Sequence, residues 1–140
     1  PLLFSDIWVP NAVVSELNEG RRRGYDVLDV ADYSWLQIAS PRQTPSEWLA
    51  LDLGAGELSV LSLALENPER VVLLDDKLAR RVATAAHLEV WGTLRIILEA
   101  KSRRLTASVK PILLQLQDAG MWMSNDIQQR ILALAGEAEL

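Results

Sequence analysis

The chain contains no cysteine and only one histidine among its 140 residues. The absence of cysteine excludes disulfides, thiolate zinc sites and cysteine nucleophiles. His87 stands alone, without the partner pattern of a catalytic base, so we interpret it as structural or exposed. No apolar stretch approaches the ~18 uncharged residues that a transmembrane helix needs. These features predict a cytoplasmic protein with no membrane partner.

The chain also has fewer basic than acidic residues. The chain has 14 lysine and arginine residues against 19 acidic ones, a net charge of −5. This balance argues against general electrostatic attraction to nucleic acid, although local basic clusters remain available. With 49% hydrophobic residues, the chain is predicted to form a single folded domain over residues 1–140. Pro1 is not an initiator methionine, so we expect native sequence to precede it.

The hydrophobic pattern predicts strands that alternate with helices. The predicted strands cover residues 7–9, 35–39, 71–74 and 87–91. The predicted helices cover 11–19, 54–66, 77–86 and 93–104, followed by two that start at Pro111 and after Ser124. Gly20 is expected to end the first helix, and Thr93 and Ser124 are expected to be N-caps. Such alternation is typical of an α/β fold with a parallel sheet and helices on both faces. The C-terminal third is predicted to be purely helical.

One predicted strand ends in two acidic residues. Residues 71–74 are apolar throughout, as in a strand that is covered on both faces, and Asp75 and Asp76 follow at once. Ligands of open α/β sheets bind beyond the carboxyl ends of such strands. Two adjacent carboxylates repel each other unless a cation, a proton or solvent relieves the repulsion. The pattern therefore predicts a functional edge at Asp75 and Asp76.

A nucleoside cofactor is one interpretation of this edge. Residues 51–56 resemble the glycine-rich motif of S-adenosylmethionine-dependent methyltransferases, and Asp75 follows at the spacing of their ribose-binding acid. However, Leu58 replaces the third glycine of that motif, and Glu57 is a poor neighbour for a ligand that carries a carboxylate. A methyltransferase is therefore our third choice.

A metal ion is the second interpretation. Glu16 lies at the edge of the apolar stripe of its predicted helix, and Glu57 shares a helix face with Val60. Acids in such places are unfavourable unless their charge is neutralised. Mg²⁺ is commonly held by one or two carboxylates together with waters and phosphate oxygens, and it supports phosphodiester hydrolysis. With Asp75 and Asp76, four catalytic candidates result.

Three stretches together resemble the PIN-domain nucleases, and most closely an uncharacterised prokaryotic subgroup related to the VapC toxins. They are residues 9–17, with the pattern Val-Pro-x-x-Val-x-x-Glu-Leu, residues 54–57, and residues 73–83. The resemblance implies a three-layer α/β/α sandwich with a short parallel sheet. It also implies an Mg²⁺- or Mn²⁺-dependent ribonuclease. Many relatives are toxins that a small antitoxin protein holds, often as homodimers.

The resemblance also implies roles for single residues. Glu16 corresponds to the second acid of the family, Asp75 to the acid after the later strand with Asp76 as its neighbour, and Glu57 to the acid on the central helix. Glu16, Glu57 and Asp75 would hold the metal. The family's first acid ends its first strand in a pattern like Asp-x-Ser-Pro-Leu, and we expect that strand and its acid to be missing here. A non-catalytic PIN-like binding module is therefore the alternative function, in which a partner chain would cover exposed strand edges.

Structural roles compete with the functional ones. A carboxylate at a helix N-terminus is favourable in its own right, which is the simpler role for Glu57. Asp76 has the position of an N-cap for the helix that follows. A basic patch is a candidate for phosphate contacts, although solvated arginines are the simpler interpretation. Its members are Arg21, Arg22, Arg23, Arg80 and Arg81.

Overall fold

The computed structural model describes residues 2–137. Within this range, the strands are β1 (Ile7–Val9), β2 (Leu36–Ile38), β3 (Val72–Leu73) and β4 (Val90–Trp91). The α-helices are α1 (Asn11–Arg22), α2 (Ala55–Glu66), α3 (Lys77–Ala85), α4 (Thr93–Ser102), α5 (Lys110–Asp118) and α6 (Asn125–Leu134). Short 3-10 helices cover Val30–Asp32 and Ser46–Ala50. None of the helices in the described range is long and apolar enough to cross a membrane.

The chain divides into two compact units. The strand unit, Leu3–Trp91, contains all the strands named above together with α1, α2 and α3. The helical unit, from Gly92 onward, contains α4, α5 and α6. The alternation of strands and helices in the first unit, and the helical character of the last third, confirm the predicted α/β class.

The strands form two parallel pairs. β1 pairs with β2, with Val9 opposite Ile38, and β3 pairs with β4, with Leu73 opposite Trp91. The parallel direction agrees with the prediction from sequence. The pairs are nevertheless separate two-stranded sheets, since no ladder joins β1 to β3 within residues 2–137.

The core of the strand unit is built around α2. This helix is apolar on most of its surface, and Leu61 and Ala64 are buried against Val72 and Ala79. A helix that is apolar on several sides is stable only when other elements surround it. The one buried polar side chain here, Ser62, donates a hydrogen bond to the carbonyl oxygen of Leu58 at 2.7 Å, so its burial costs little.

The helical unit has a core of its own. Ile97 of α4, Leu113 of α5 and Ile131 of α6 are buried together with Val109 and Met123. Each helix contributes one apolar stripe and leaves polar residues outside, as expected for short amphipathic helices. Packing of these stripes, rather than helix propensity, stabilises helices of this length.

Several predicted helix ends were wrong. Helix α1 continues through Gly20 to Arg22, whereas Gly20 was predicted to end it. The left-handed residue that follows the helix is Gly24, with φ of 86°. Thr93 was predicted as the N-cap of α4, but Gly92 occupies the cap position and makes no side-chain hydrogen bond. The predicted cap at Ser124 is confirmed, since its side chain accepts a hydrogen bond from the N–H of Ile127.

Candidate metal-binding site at the start of helix α2

The first turn of α2 lacks bulky side chains. Gly54 is the N-cap, and Ala55 and Gly56 begin the helix. The first N–H groups of an α-helix have no partner within the helix, and they carry the positive end of its dipole. Since glycine caps have no side chain to accept these hydrogen bonds, acceptors must come from elsewhere.

Glu16 of α1 supplies one acceptor. The N–H of Gly56 donates a hydrogen bond to Oε1 of Glu16 at 2.8 Å. Gly56 is buried, and a Cβ atom at this position would overlap the Glu16 carboxylate. The absence of a side chain at Gly56 therefore permits the close approach of the Glu16 carboxylate.

Glu57 brings a second carboxylate to the same turn. A Cβ built on Gly54 would lie 2.5 Å from Oε2 of Glu57 and 3.9 Å from Oε1 of Glu16. Neither glutamate forms an ion pair with a lysine or arginine in residues 2–137. Two carboxylates from different helices thus adjoin Gly54, and neither forms an ion pair within the described part of the chain.

The carboxylate oxygens of Glu16 and Glu57 are the kind of donor that a hard divalent cation prefers. Mg²⁺ prefers oxygen ligands and is often held by one or two carboxylates, with the rest of its shell supplied by water and phosphate. The two glycines leave room that a Cβ atom would otherwise fill. Across the described residues, no three histidine, aspartate or glutamate side chains are grouped to hold a metal ion. Glu16 and Glu57 therefore come together, and Asp75 and Asp76 do not form a three-acid group with them.

Asp75 and Asp76 lie just past β3, as predicted. Both are exposed. Asp76 is the N-cap of α3, and its Oδ2 accepts a hydrogen bond from the N–H of Ala79 at 2.9 Å. This capping contact is the simpler role that the sequence suggested for Asp76, and it leaves Oδ1 available for another contact.

The arginines of the predicted basic patch have different surroundings. Arg21 pairs with Asp29 at 2.8 Å, and both Arg22 and Arg23 lie within ion-pair distance of Glu19, at 3.6 and 3.1 Å. This part of the patch is locally neutralised.

The remaining two arginines of the patch lie on α3. Arg80 and Arg81 are exposed, and neither forms an ion pair with another described residue. They are therefore the better candidates for phosphate contacts.

One polar cluster was not predicted from the sequence. The guanidinium of Arg70 lies 3.2 Å from the ring centroid of Trp8 and forms an ion pair with Asp6. Arg70 lies two residues before β3, so the cluster joins this segment to Asp6, directly before β1, and to Trp8 within β1. A cation over an indole ring is a favourable contact that has no sequence pattern, because its partners are far apart in the chain.

A second unpredicted cluster lies in the helical unit. Glu137 accepts hydrogen bonds from Oγ of Ser108 at 2.6 Å and from the N–H of Val109 at 2.8 Å, at the start of α5. Nζ of Lys101 lies 3.5 Å from its Oε2. The hydrogen bond from Ser108, followed by that from Val109, lowers the pKa of the Glu137 carboxyl from 4.5 to about 2. This carboxylate is held in its charged form by neighbours of the same chain.

Comparison with known proteins identifies the family. A family model described as a PIN domain (DUF3368) matches residues 1–137. The chain belongs to the PIN-domain family. No curated protein and no solved structure matches it. PIN domains are in general divalent-metal-dependent nucleases, so the predicted nuclease class is supported at the level of the family, and the PIN family itself is confirmed.

Proposed function

We propose that this PIN-domain protein is a ribonuclease that depends on Mg²⁺ or Mn²⁺. In this proposal, the fold is the three-layer α/β/α sandwich of the family, Glu16, Glu57 and Asp75 hold the ion, and Asp76 lies beside it as a further catalytic candidate. The observation that carries the proposal is the convergence of two unpaired carboxylates, Glu16 and Glu57, on the glycine-rich start of α2.

The reaction needs a nucleophile and relief of charge on the phosphate. A bound divalent ion lowers the pKa of water and offsets the negative charge that develops on the phosphate oxygens. The protein's part is to hold the carboxylates in place. The N–H of Gly56 fixes Oε1 of Glu16, which leaves Oε2 free to accept a cation.

RNA would be held beside the acids. Arg80 and Arg81 come four and five residues after Asp76, on the exposed surface of α3, where they can reach phosphate oxygens. Arg21, Arg22 and Arg23 are weaker candidates because acids of the same chain already pair with them. We further propose that the protein acts in the cytoplasm as the toxin of a toxin–antitoxin pair, held by a small antitoxin and able to form a homodimer. The resemblance to VapC-like proteins supports this part.

Cleavage of labelled single-stranded RNA by the purified protein tests the proposal. We expect cleavage with Mg²⁺ or Mn²⁺ and none with excess chelator. Because loss of even an indirect metal contact costs 10–100-fold, Glu16→Gln or Asp75→Asn should reduce the rate by about 100-fold or more. Glu19→Gln is the matched control on α1, since Glu19 contacts only surface arginines. Equal cleavage by the Glu16 and Asp75 variants and the native protein would contradict the assignment.

A non-catalytic binding module is the second candidate function. It is favoured by the grouping of only two acids, rather than three, within the described part of the chain. A calorimetric Mn²⁺ titration separates the two functions: binding at sub-millimolar ion that Glu16→Gln removes supports the nuclease, and no binding at millimolar ion supports the module. The family match favours either one over the methyltransferase.

A further inference from the structure

Helix α3 carries a basic stripe on its exposed side. Arg80 and Arg81 follow Lys77 by three and four residues, so the three side chains lie on the same side of the helix, and all are exposed. The opposite side is buried through Ala79 and Ala83, and the helix contains no acidic residue. In a chain with a net charge of −5, such a concentration of positive charge on one surface favours an anionic partner.

The charge of this stripe is not balanced by the chain itself. Neither Lys77 nor the two arginines form an ion pair with another residue in the described range 2–137. By contrast, Arg21 pairs with Asp29 and Arg23 pairs with Glu19, at 2.8 and 3.1 Å. An anion from solution would have to compete with those carboxylates. The stripe on α3 is therefore the basic surface best able to accept one.

His87 follows the end of this helix directly. Its N–H donates a hydrogen bond to the carbonyl oxygen of Thr84 at 3.0 Å, and the N–H of Leu88 donates to that of Ala83 at 2.9 Å. This pair of hydrogen bonds closes a helix end when the first donor has a left-handed backbone, and His87 has φ of 60°. The exposed imidazole therefore stands at the far end of α3, ~15 Å along the helix from Lys77.

His87 occupies a position that glycine would favour. A side chain raises the energy of the left-handed conformation, whereas glycine adopts it freely. Within the described range, three other helices close with the same two hydrogen bonds and have a glycine at the corresponding position, and α4 has Arg104 there. The glycines are Gly24, Gly120 and Gly136. A side chain held in this conformation against the preference for glycine points to a role for the side chain itself.

We propose that this face of α3 is a track for the RNA strand on one side of the cleaved bond. Lys77, Arg80 and Arg81 hold phosphates along the helix, and the imidazole of His87 donates a hydrogen bond to a phosphate at the far end. The track starts directly after Asp76, which the proposed function places beside the metal ion. A single strand is the ligand because its flexible backbone can follow one row of cations.

This inference rests on the proposed ribonuclease function and deepens it, because it adds Lys77 and His87 to the two arginines and gives the strand a direction. The two proposals have separate readouts, since binding is measured in excess chelator, where no cleavage is expected. RNA that is bound through the stripe and never cleaved would overturn the ribonuclease alone. Cleavage that continues unchanged after the stripe is replaced would overturn the track alone.

Fluorescence anisotropy of a labelled single-stranded RNA of ~10 nucleotides tests the track at several salt concentrations. The double variant Arg80→Gln with Arg81→Gln should bind about 10-fold more weakly or worse. Its plot of log affinity against log salt should be less steep, by about 0.7 for each phosphate contact removed. The matched control is Arg103→Gln with Arg104→Gln, which removes the same charge after α4 and should leave binding unchanged. Equal weakening in both double variants overturns the proposal, because net charge alone would then explain binding.

Glycine at position 87 separates the role in binding from the role in the helix end. His87→Gly relieves the left-handed strain, so its unfolding midpoint should rise, while its affinity for RNA should fall by about 5-fold. Arg104→Gly relieves the same strain after α4, so its midpoint should rise as well, with no change in affinity. Unchanged affinity in His87→Gly would overturn the role of His87.

Poly-glutamate separates a phosphate track from a general site for acidic chains. Its carboxylates are carried on flexible side chains rather than along the backbone, so we expect it to displace the labelled RNA far less effectively than unlabelled RNA does. Equal displacement at the same concentration of negative charge overturns the proposal, because the stripe would then accept an acidic protein segment as readily as RNA.

Discussion

Two glutamates in this protein reach the start of a helix from a distant part of the chain, and their surroundings differ. Glu137 meets α5 in the helical unit, where it accepts hydrogen bonds from Ser108 and Val109 and lies near Lys101. Glu16 meets α2 in the strand unit, where it accepts one hydrogen bond and has another carboxylate, Glu57, beside it.

The difference separates a structural contact from a candidate site. The charge of Glu137 is balanced by donors and a cation of its own chain, so this carboxylate stabilises the helical unit. The charges of Glu16 and Glu57 are concentrated without such balance, which makes the pair receptive to a cation from solution. A carboxylate at a helix start is therefore informative only together with what surrounds it.

The largest expected effect comes from Gly56→Ala. The added Cβ overlaps only the flexible end of Glu16, so the fold should persist while the carboxylate is displaced. We expect RNA cleavage to fall by about 100-fold and the unfolding midpoint to stay the same or rise, because alanine is favoured over glycine in helices. Gly20→Ala is the matched control, since its Cβ would meet Val27 at an ordinary 3.6 Å. Equal activity of both variants would show that the position of Glu16 does not matter.

The next largest effect is a difference between the variants of the two glutamates: one should lose stability and the other should lose Mn²⁺ binding. Glu137→Gln removes the charge that Ser108, Val109 and Lys101 stabilise, so we expect a lower unfolding midpoint and little change in Mn²⁺ binding. Glu16→Gln keeps an oxygen for the N–H of Gly56, so stability should change by no more than about 0.5 kcal/mol while Mn²⁺ binding is lost. Thermal unfolding and calorimetry on the two variants check this. Similar changes in stability and in Mn²⁺ binding in both variants would show that the two glutamates have the same role.

The pH dependence of stability should sharpen the same contrast. The pKa of the Glu137 carboxyl is lowered to about 2 in the folded protein, from 4.5. Its contribution is therefore complete above pH 4.5 and is lost progressively as the pH falls from there toward 2. Exchange protection of the Val109 amide should decrease over this window. In Glu137→Gln this decrease should be absent. If the variant shows the same decrease as the native protein, another titrating group causes it.

The smallest expected effect concerns Asp76. Asp76→Ala removes the cap on α3 and should cost about 1 kcal/mol of stability, whereas Asp76→Asn keeps an oxygen for the N–H of Ala79 and should cost little. If Asp76 also serves catalysis, the asparagine variant is stable but slow. Urea unfolding and RNA cleavage, measured on both Asp76 variants, separate capping from catalysis. Full activity in Asp76→Asn would show that Asp76 only caps α3.

Much of the fold followed from local patterns in the sequence. The apolar run at residues 71–74 and the Ser124 cap involve neighbours in the chain, so their roles could be predicted from residue type and spacing. The predicted end of helix α1 was wrong because Gly20 is tolerated within the helix. Of these two glycines, only Gly24 adopts a left-handed conformation. Helix propensity could not tell these two glycines apart.

The candidate site was predictable in part. Glu16 was marked by its place at the edge of an apolar stripe. The residue is exposed, and its carboxylate accepts a hydrogen bond from the N–H of Gly56 on another helix. The contacts of Glu137 and of Arg70 could not have been predicted, because each joins residues far apart in the sequence through side-chain geometry alone. Such contacts depend on the tertiary structure and leave no local pattern in the sequence.

The two separate cores have a consequence for the motions of the protein. Leu61 and Val72 are buried in the strand unit, and Ile97, Leu113 and Ile131 are buried together in the helical unit. Proteins open in cooperative units that follow such clusters, so we expect the two units to lose their amide protection separately. Mn²⁺ that binds at Glu16 and Glu57 should then slow amide exchange in the strand unit and leave exchange in the helical unit unchanged.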